Sequence, residues 1–340
     1  MNLVYHGENL IIASAPAKVI LVGEHFVVEN EPAIALAVEL RARTIVEPIQ
    51  KYERIYSSKN YGCCIKISDG KVSTKGNAEV LSPIVKIGEI VEGIAGLRKG
   101  YKLTVESEIP PASGMGSSAA VAVATATALG KLYEIPLTHE EISNIAYEAE
   151  RIVHDTPSGI DNTISTYGGV IVFRKSEGFI RLDVDLSPIR VIIADSGLPR
   201  STGAMVKKVR KLKNKYPKVL DPLYHTAGRL VIEVAKALED GDFKRVGELM
   251  NINHGLLSAV GVSNLKLEEL VHVARRSGAL GAKITGAGGG GSIVALAYAD
   301  DVQKIAESLQ RVSERVFVLE VAREGARIEY HCAANNMDTF

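Results

Sequence analysis

The sequence predicts an α+β fold in two domains, and three features point that way. Short β-branched or alternating runs crowd the first third of the chain. A long helical pattern fills residues 201–277. Strands and helices come in blocks rather than in regular alternation, which disfavours a doubly wound parallel sheet. With 340 residues the chain can bury two ordinary cores. The expected boundary lies near residue 180, giving domains at 1–180 and 181–340.

Taken in order, "NLIIASA", "KVILVGE", "AIALAVEL", "ARTIVEPI" and "CCIKIS" read as strands separated by turn residues. A helix follows across "LSPIVKIGEIVEGIAGL", then a strand across "YKLTVESEI". Ala119 to Leu132 is apolar almost all round, the mark of a helix buried on every side. Thr138 and Glu141 form a capping box ahead of an amphipathic helix. Its apolar stripe is Ile142, Ile145, Ala146, Ala149, Ile152 and Val153, with Glu150 at the flank. "GGVIVFRK" and "RVIIADS" read as mid-chain strands, and "AKIT", "SIVALAYA" and "VFVLEV" as late ones.

Charge and cysteine content narrow the function. Forty basic residues balance forty acidic ones, which argues against a binder of nucleic acid. The basic run Val206–Lys218 has helical spacing and reads as a solvated face. Cys63, Cys64 and Cys332 match neither a disulfide framework nor a zinc site, which suits a reducing compartment. No apolar stretch approaches the ~20 residues of a membrane span, and the first residues lack the order of a signal peptide. The expected location is the cytoplasm, with no membrane partner.

The segment "IPPASGMGSSAAVAVATATA" (Ile109–Ala128) runs from a strand through a glycine-rich loop into the buried helix. Glycines let backbone approach a ligand, and free N–H groups at a helix start attract anions. The loop lacks the lysine of a Walker A motif. Taken alone it reads equally as a tight turn capped by Ser113 or Ser117. A second cluster, "KITGAGGGGS" (Lys283–Ser292), satisfies G-x-G-x-x-G, but a strand rather than a helix follows it.

Three segments in order carry more than any one alone. "SAPAKVILVGEHFVV" (Ser14–Val28), "PPASGMGSSAA" (Pro110–Ala120) and "KITGAGGGGS" resemble the three signature motifs of the GHMP kinases. "GEH" (Gly23–His25), "ERIVHDTPSGIDNTISTYGG" (Glu150–Gly169), "PRSTGAMV" (Pro199–Val206) and "NHGLLSAVGVS" (Asn253–Ser263) are similar to those members that phosphorylate mevalonate. The resemblance spans residues 14–295. Ala17 stands where the family commonly has glycine, Met115 where it has leucine, and Asp155 where glycine is frequent. None of these removes a functional group.

The resemblance implies an N-terminal domain like that of ribosomal protein S5 and a ferredoxin-like C-terminal domain, with ATP between them. It places the phosphates on Pro111, Ala112, Ser113, Gly114, Met115, Gly116, Ser117 and Ser118. It makes Asp161 the base for the acceptor hydroxyl, with Lys18 beside it; otherwise these read as a turn aspartate and a strand-end lysine. Mg²⁺ falls to Ser118 and Glu150, a hydroxyl and a carboxylate suited to a hard cation. His25, Glu24, Thr202, Gly286 and Ala287 are the expected acceptor side, with mevalonate as acceptor and a homodimer as the assembly.

The rival readings are another acceptor (phosphomevalonate, homoserine, or the 3-hydroxyl of mevalonate) or a non-catalytic nucleotide-binding relative. Arg200 keeps a phosphorylated acceptor open. A non-catalytic relative is expected to lack Lys18 or Asp161, and both are present.

Overall fold

Two long neighbouring strands organise the molecule, β1 (Ile11–Val22) and β2 (Ala33–Ile49), paired antiparallel along most of their length. The structure is a computed structural model that describes residues 10–110, 113–153 and 158–331. Each long strand stands where the sequence predicts two short ones. β1 continues through Pro16 because the register shifts between Pro16 and Ala17, a bulge that tolerates a residue without an N–H donor.

The chain then adds β3 (Glu53–Ser58), β4 (Cys63–Ser68) and β5 (Lys71–Lys75), helix α1 (Ser82–Ala95) and β6 (Gly100–Ser107). Helices α2 (Ser117–Leu132), α3 (His139–Val153) and α4 (Ile160–Tyr167) precede β7 (Val170–Arg174) and β8 (Gly178–Leu182). β9 (Ile189–Asp195) opens the second sheet, followed by α5 (Thr202–Lys215), α6 (Pro217–Glu239), α7 (Phe243–Ala259) and α8 (Leu265–Arg276). β10 (Gly281–Ile284), β11 (Ser292–Tyr298), α9 (Val302–Gln310), β12 (Arg315–Leu319) and β13 (Arg327–His331) complete it.

The first sheet runs β13-β1-β2-β6-β3-β4-β5, with β7 on the other half of β2 and β8 beside β7. The second runs β10-β11-β9-β12, wholly antiparallel. Its β–α–β–β–α–β order is the ferredoxin-like arrangement. The α+β expectation holds, with strands and helices in separate blocks around two sheets. The chain crosses between the sheets after Leu182 and comes back to the first with β13. Arg41, buried on β2, holds that return by donating to Ser14 Oγ at 2.8 Å and to the Gly325 carbonyl at 2.5 Å.

Helix α2 is the central post. It packs on β1, β2, α1, α3 and α4, and Ala120, Ala124 and Ala128 let these neighbours close in. The capping box forms as read: Thr138 N–H donates to Glu141 at 2.7 Å, and Glu141 N–H to Thr138 Oγ1 at 3.2 Å. Ile152 leaves the predicted stripe and is half exposed, while the Val153 side chain lies outside the described residues. The sequence signal missed β3, β5, β8 and β13. β5 shows why, since every residue of it is exposed and no apolar alternation marks it.

Candidate active site

The site forms where β1, the start of α2 and the start of α4 converge. Lys18 follows the β1 bulge, and its N–H donates to the Met115 carbonyl at 2.9 Å, fastening the glycine loop to the strand. Its ammonium meets Asp161 Oδ1 at 2.9 Å. The lysine side chain is 6% exposed and the aspartate 25%, so the pair opens to solvent on the carboxylate side.

Gly114 and Gly116 have φ of 79° and 71°, the left-handed region in which a Cβ is strained. Space forbids a side chain as well. A Cβ on Gly116 falls 2.8 Å from Lys18 Cγ, and one on Gly114 falls 1.5 Å from Arg200 Nη2. Gly116 is the N-cap of α2, and no side chain caps that helix. Ser113 Oγ instead donates to the Pro110 carbonyl at 2.8 Å, and Ser117 Oγ pairs with Ser107 Oγ at 3.3 Å. Ser113 Oγ also accepts from Met115 N–H at 3.4 Å, so a serine closes the turn but none caps the helix. The first N–H groups of α2 are left for an anion. Ser118 is exposed on that first turn, and Met115 is buried beneath it. Pro111 and Ala112 lie outside the described residues.

Asp161 sits in the first turn of α4, which starts on left-handed Gly159 and also lacks a side-chain cap. Negative charge is stabilised at such a terminus. Glu150 comes from α3. Its Oε2 is buried with no hydrogen-bond partner among the described residues. Burial first, and then the charge of Asp161, pushes its carboxyl up to about 7, with Lys18 opposing. Two acids crowded on one ammonium fit an additional cation. Mg²⁺ takes one or two carboxylates and completes its shell with phosphate oxygens and water.

The second sheet supplies the other wall. The Ser292 hydroxyl donates to the Ser113 carbonyl at 3.4 Å, joining the late glycine turn to the earlier glycine loop. His25 Nε2 and the Ala287 carbonyl lie 2.9 Å apart, so Nε2–H donates; burial pulls the imidazole below its ordinary range. Glu24, expected on the acceptor side, is 1% exposed and ion-paired with buried Lys283. That placement turns its carboxylate inward. Thr202 is exposed at the start of α5, just after Ser201, whose Oγ accepts from Ala204 N–H. Arg200, two residues earlier, lies against Gly114, so Thr202 stands near the glycine loop along the chain.

Sequence reading undervalued Arg200. Its guanidinium rests against the backbones of Gly114, Gly286 and Gly291, and Nη1 donates to the Thr285 carbonyl at 3.4 Å. Burial is the main cause of its lowered basicity. Of the acids whose charge it feels, Asp195 is held by Arg315 at 2.8 Å and Asp161 by Lys18 at 2.9 Å. Its position before Thr202 in "PRSTGAMV" was the available signal.

Known proteins supply the context for this geometry. A model of the GHMP kinases N terminal domain matches residues 83–169, and one of the GHMP kinases C terminal matches residues 234–314. Mevalonate kinase of Pyrococcus furiosus is 41% identical over 333 residues, 94% of this chain and 98% of the relative. The protein belongs to the GHMP kinase family.

The mevalonate kinase of Thermococcus sibiricus is 39% identical over 331 residues, again 94% of this chain and 98% of the relative. The crystal structure of L. major mevalonate kinase in complex with R-mevalonate matches with a TM-score of 0.76 and 31% identity, covering 93% of this chain and 96% of that one. As a GHMP kinase, the protein is an enzyme that uses ATP to phosphorylate an alcohol. Among the described residues, no helix is long and apolar enough to cross a membrane.

Two further features of this GHMP kinase frame the site. Glu268 on α8 accepts from Ser258 Oγ at 2.7 Å, Ser263 Oγ at 2.5 Å and His254 Nε2 at 3.1 Å. Burial acts to raise this carboxyl, but those three bonds hold it down at about 2. The clasp steadies the loop whose Val262 carbonyl accepts Gly289 N–H at 2.7 Å. Elsewhere, a cavity of about 880 Å³ opens where the chain crosses between the sheets. Four of its charged residues pair with each other, Arg190 with Glu320 at 2.8 Å and Arg323 with Asp185 at 3.0 Å.

Proposed function

We propose that the protein transfers the γ-phosphoryl group of ATP to the 5-hydroxyl of (R)-mevalonate, giving 5-phosphomevalonate and ADP. The observation that carries this reading is the Lys18–Asp161 pair, 2.9 Å apart, set between the open starts of α2 and α4. The identity to mevalonate kinases over nearly the whole chain supports the choice of acceptor.

In this reading the triphosphate lies along Ser113–Ser118, held by the first N–H groups of α2. Asp161 takes the proton of the acceptor hydroxyl as its oxygen bonds to the γ-phosphorus and the bond to ADP breaks. Lys18 keeps Asp161 in place and offsets charge on the transferring group. Glu150 and Ser118 would hold Mg²⁺, which supplies neutralisation of phosphate charge when bound. Arg200, free of any ion pair among the described residues, offers its planar fork to the acceptor's carboxylate. His25 and the Gly286–Ala287 turn close the acceptor side. A homodimer in the cytoplasm completes the proposal, resting on the family resemblance; sedimentation of the purified chain checks the assembly.

The test is ADP release with Mg-ATP and mevalonate, phosphomevalonate, homoserine or galactose, with mass spectrometry of the product. Turnover selective for mevalonate with phosphate on the 5-oxygen is the expected result. Turnover on another acceptor only would overturn the assignment of the acceptor while keeping the kinase.

A further inference from the structure

A buried ion pair joins β10 of the second sheet to the turn after β1. Lys283 on β10 is 0% exposed, and Glu24, just beyond β1, is 1% exposed. Their charged ends touch. Lys283 is flanked by Ala282 and Ile284, both fully buried. Burial pulls the lysine down and pushes the glutamic acid up, and each partner's charge resists that change in the other. Buried ion pairs seldom stabilise a fold more than apolar residues of similar volume do. Stability alone is thus a weak reason for these two residues. Glu24 Oε2 is buried without a partner among the described residues, so the pair is not a fully satisfied structural network.

The neighbouring backbone supplies an independent observation. His25 adopts φ 63° and ψ −41°, a conformation that a residue with a Cβ keeps only under constraint. The constraint comes from β10 and the turn after it, at alternate residues. Lys283 meets Glu24, Thr285 Oγ1 donates to the Ile20 carbonyl at 3.2 Å, and the Ala287 carbonyl accepts from His25. Ile20 lies two residues beyond Lys18 on β1, and the Glu24 carboxylate feels the Lys18 charge.

We propose that Glu24 and Lys283 are positioning residues for phosphoryl transfer, one charge from each sheet, which hold the strained His25 turn and the Lys18 strand in register with the Gly286–Ala287 turn. The pair touches no reactant. It sets where the acceptor-side histidine and the Lys18 ammonium stand relative to each other. This rests on the proposed roles of His25 and Lys18.

The decisive variant is the double substitution Glu24→Gln with Lys283→Met, which removes both charges at near-constant volume. A single Lys283→Met strands the Glu24 charge and serves only as a stability control. The double variant is expected to fold, to bind ATP within about twofold of wild type, and to lose about a hundredfold in kcat/KM for the acceptor, the scale of a displacement near 1 Å. The His25 Nε2–H resonance in a ¹H–¹⁵N spectrum, protected in wild type by the Ala287 bond, is expected to exchange with water in the double variant. That second readout does not depend on which acceptor is correct, and the kinetics use whichever alcohol the wild type phosphorylates. A wild type silent on mevalonate therefore refutes the acceptor, not the pair. A folded double variant with wild-type kinetics and a protected His25 proton overturns the proposal. So does one that loses ATP and acceptor binding equally.

Discussion

Glu150 and Glu268 are both partly buried helix glutamates near a basic side chain, and the fold treats them in opposite ways. Glu268 receives three hydrogen bonds and is held at about 2. Glu150 has a buried oxygen with no partner among the described residues, faces Asp161 and is pushed up to about 7. The first acid is finished by its own chain and steadies a loop. The second is left incomplete where a phosphate-bound cation would complete it. An unsatisfied buried oxygen beside a second carboxylate, rather than burial alone, separates Glu150 from Glu268.

The comparison can be broken most sharply at the ion pair itself. Asp161→Asn is expected to lower kcat by about 10³-fold while ATP affinity, read by calorimetry, stays near wild type. Near-normal turnover would remove Asp161 from the chemistry.

Glu150 should make the nucleotide-free protein less stable as pH rises. Its folded carboxyl holds a proton up to about 7 where the ordinary value is 4.5, so the folded state binds more protons than the unfolded one between these limits. Stability then falls from pH 4.5 to 7 and stays low above, by at most about 3 kcal/mol before solvent screening. Glu150→Gln is expected to raise the melting temperature at pH 8, flatten that slope, and weaken Mg-ATP binding. An unchanged slope would mean that Glu150 is not the buried acid described here.

Glu268 carries the opposite sign. Its stabilisation is present above the ordinary value of 4.5 and is lost as pH falls toward about 2. Glu268→Ala is expected to cost about 2 kcal/mol in denaturant unfolding, since it strands His254 and two serines, with kcat within about threefold of wild type. A loss of kcat like that of Asp161→Asn would mean that the clasp takes part in catalysis. The smallest effect is expected at Thr202→Ala. Because Thr202 is exposed and makes at most a solvent-shared contact, acceptor KM should rise by less than about tenfold, under 1.4 kcal/mol. A larger rise would make Thr202 a direct contact of the acceptor.

Local order determined much of this protein within the sequence. The all-apolar run to Leu132 fixed the buried helix, and Thr138 with Glu141 fixed the start of α3, because both depend on neighbours within a turn or two. Gly114 and Gly116 marked a backbone that only glycine adopts comfortably, and the order of three glycine-containing segments led to the family. Tertiary structure alone decided the rest. It ran β1 through Pro16, drew β13 back onto the first sheet, turned Glu24 inward onto Lys283 and set Arg200 against the glycine loop. Glu24 and Lys283 stand 259 positions apart, and no periodicity spans such a gap. Helices and turns are set by forces between near neighbours along the chain. The site is set by charges and backbones that meet only once the two sheets have packed.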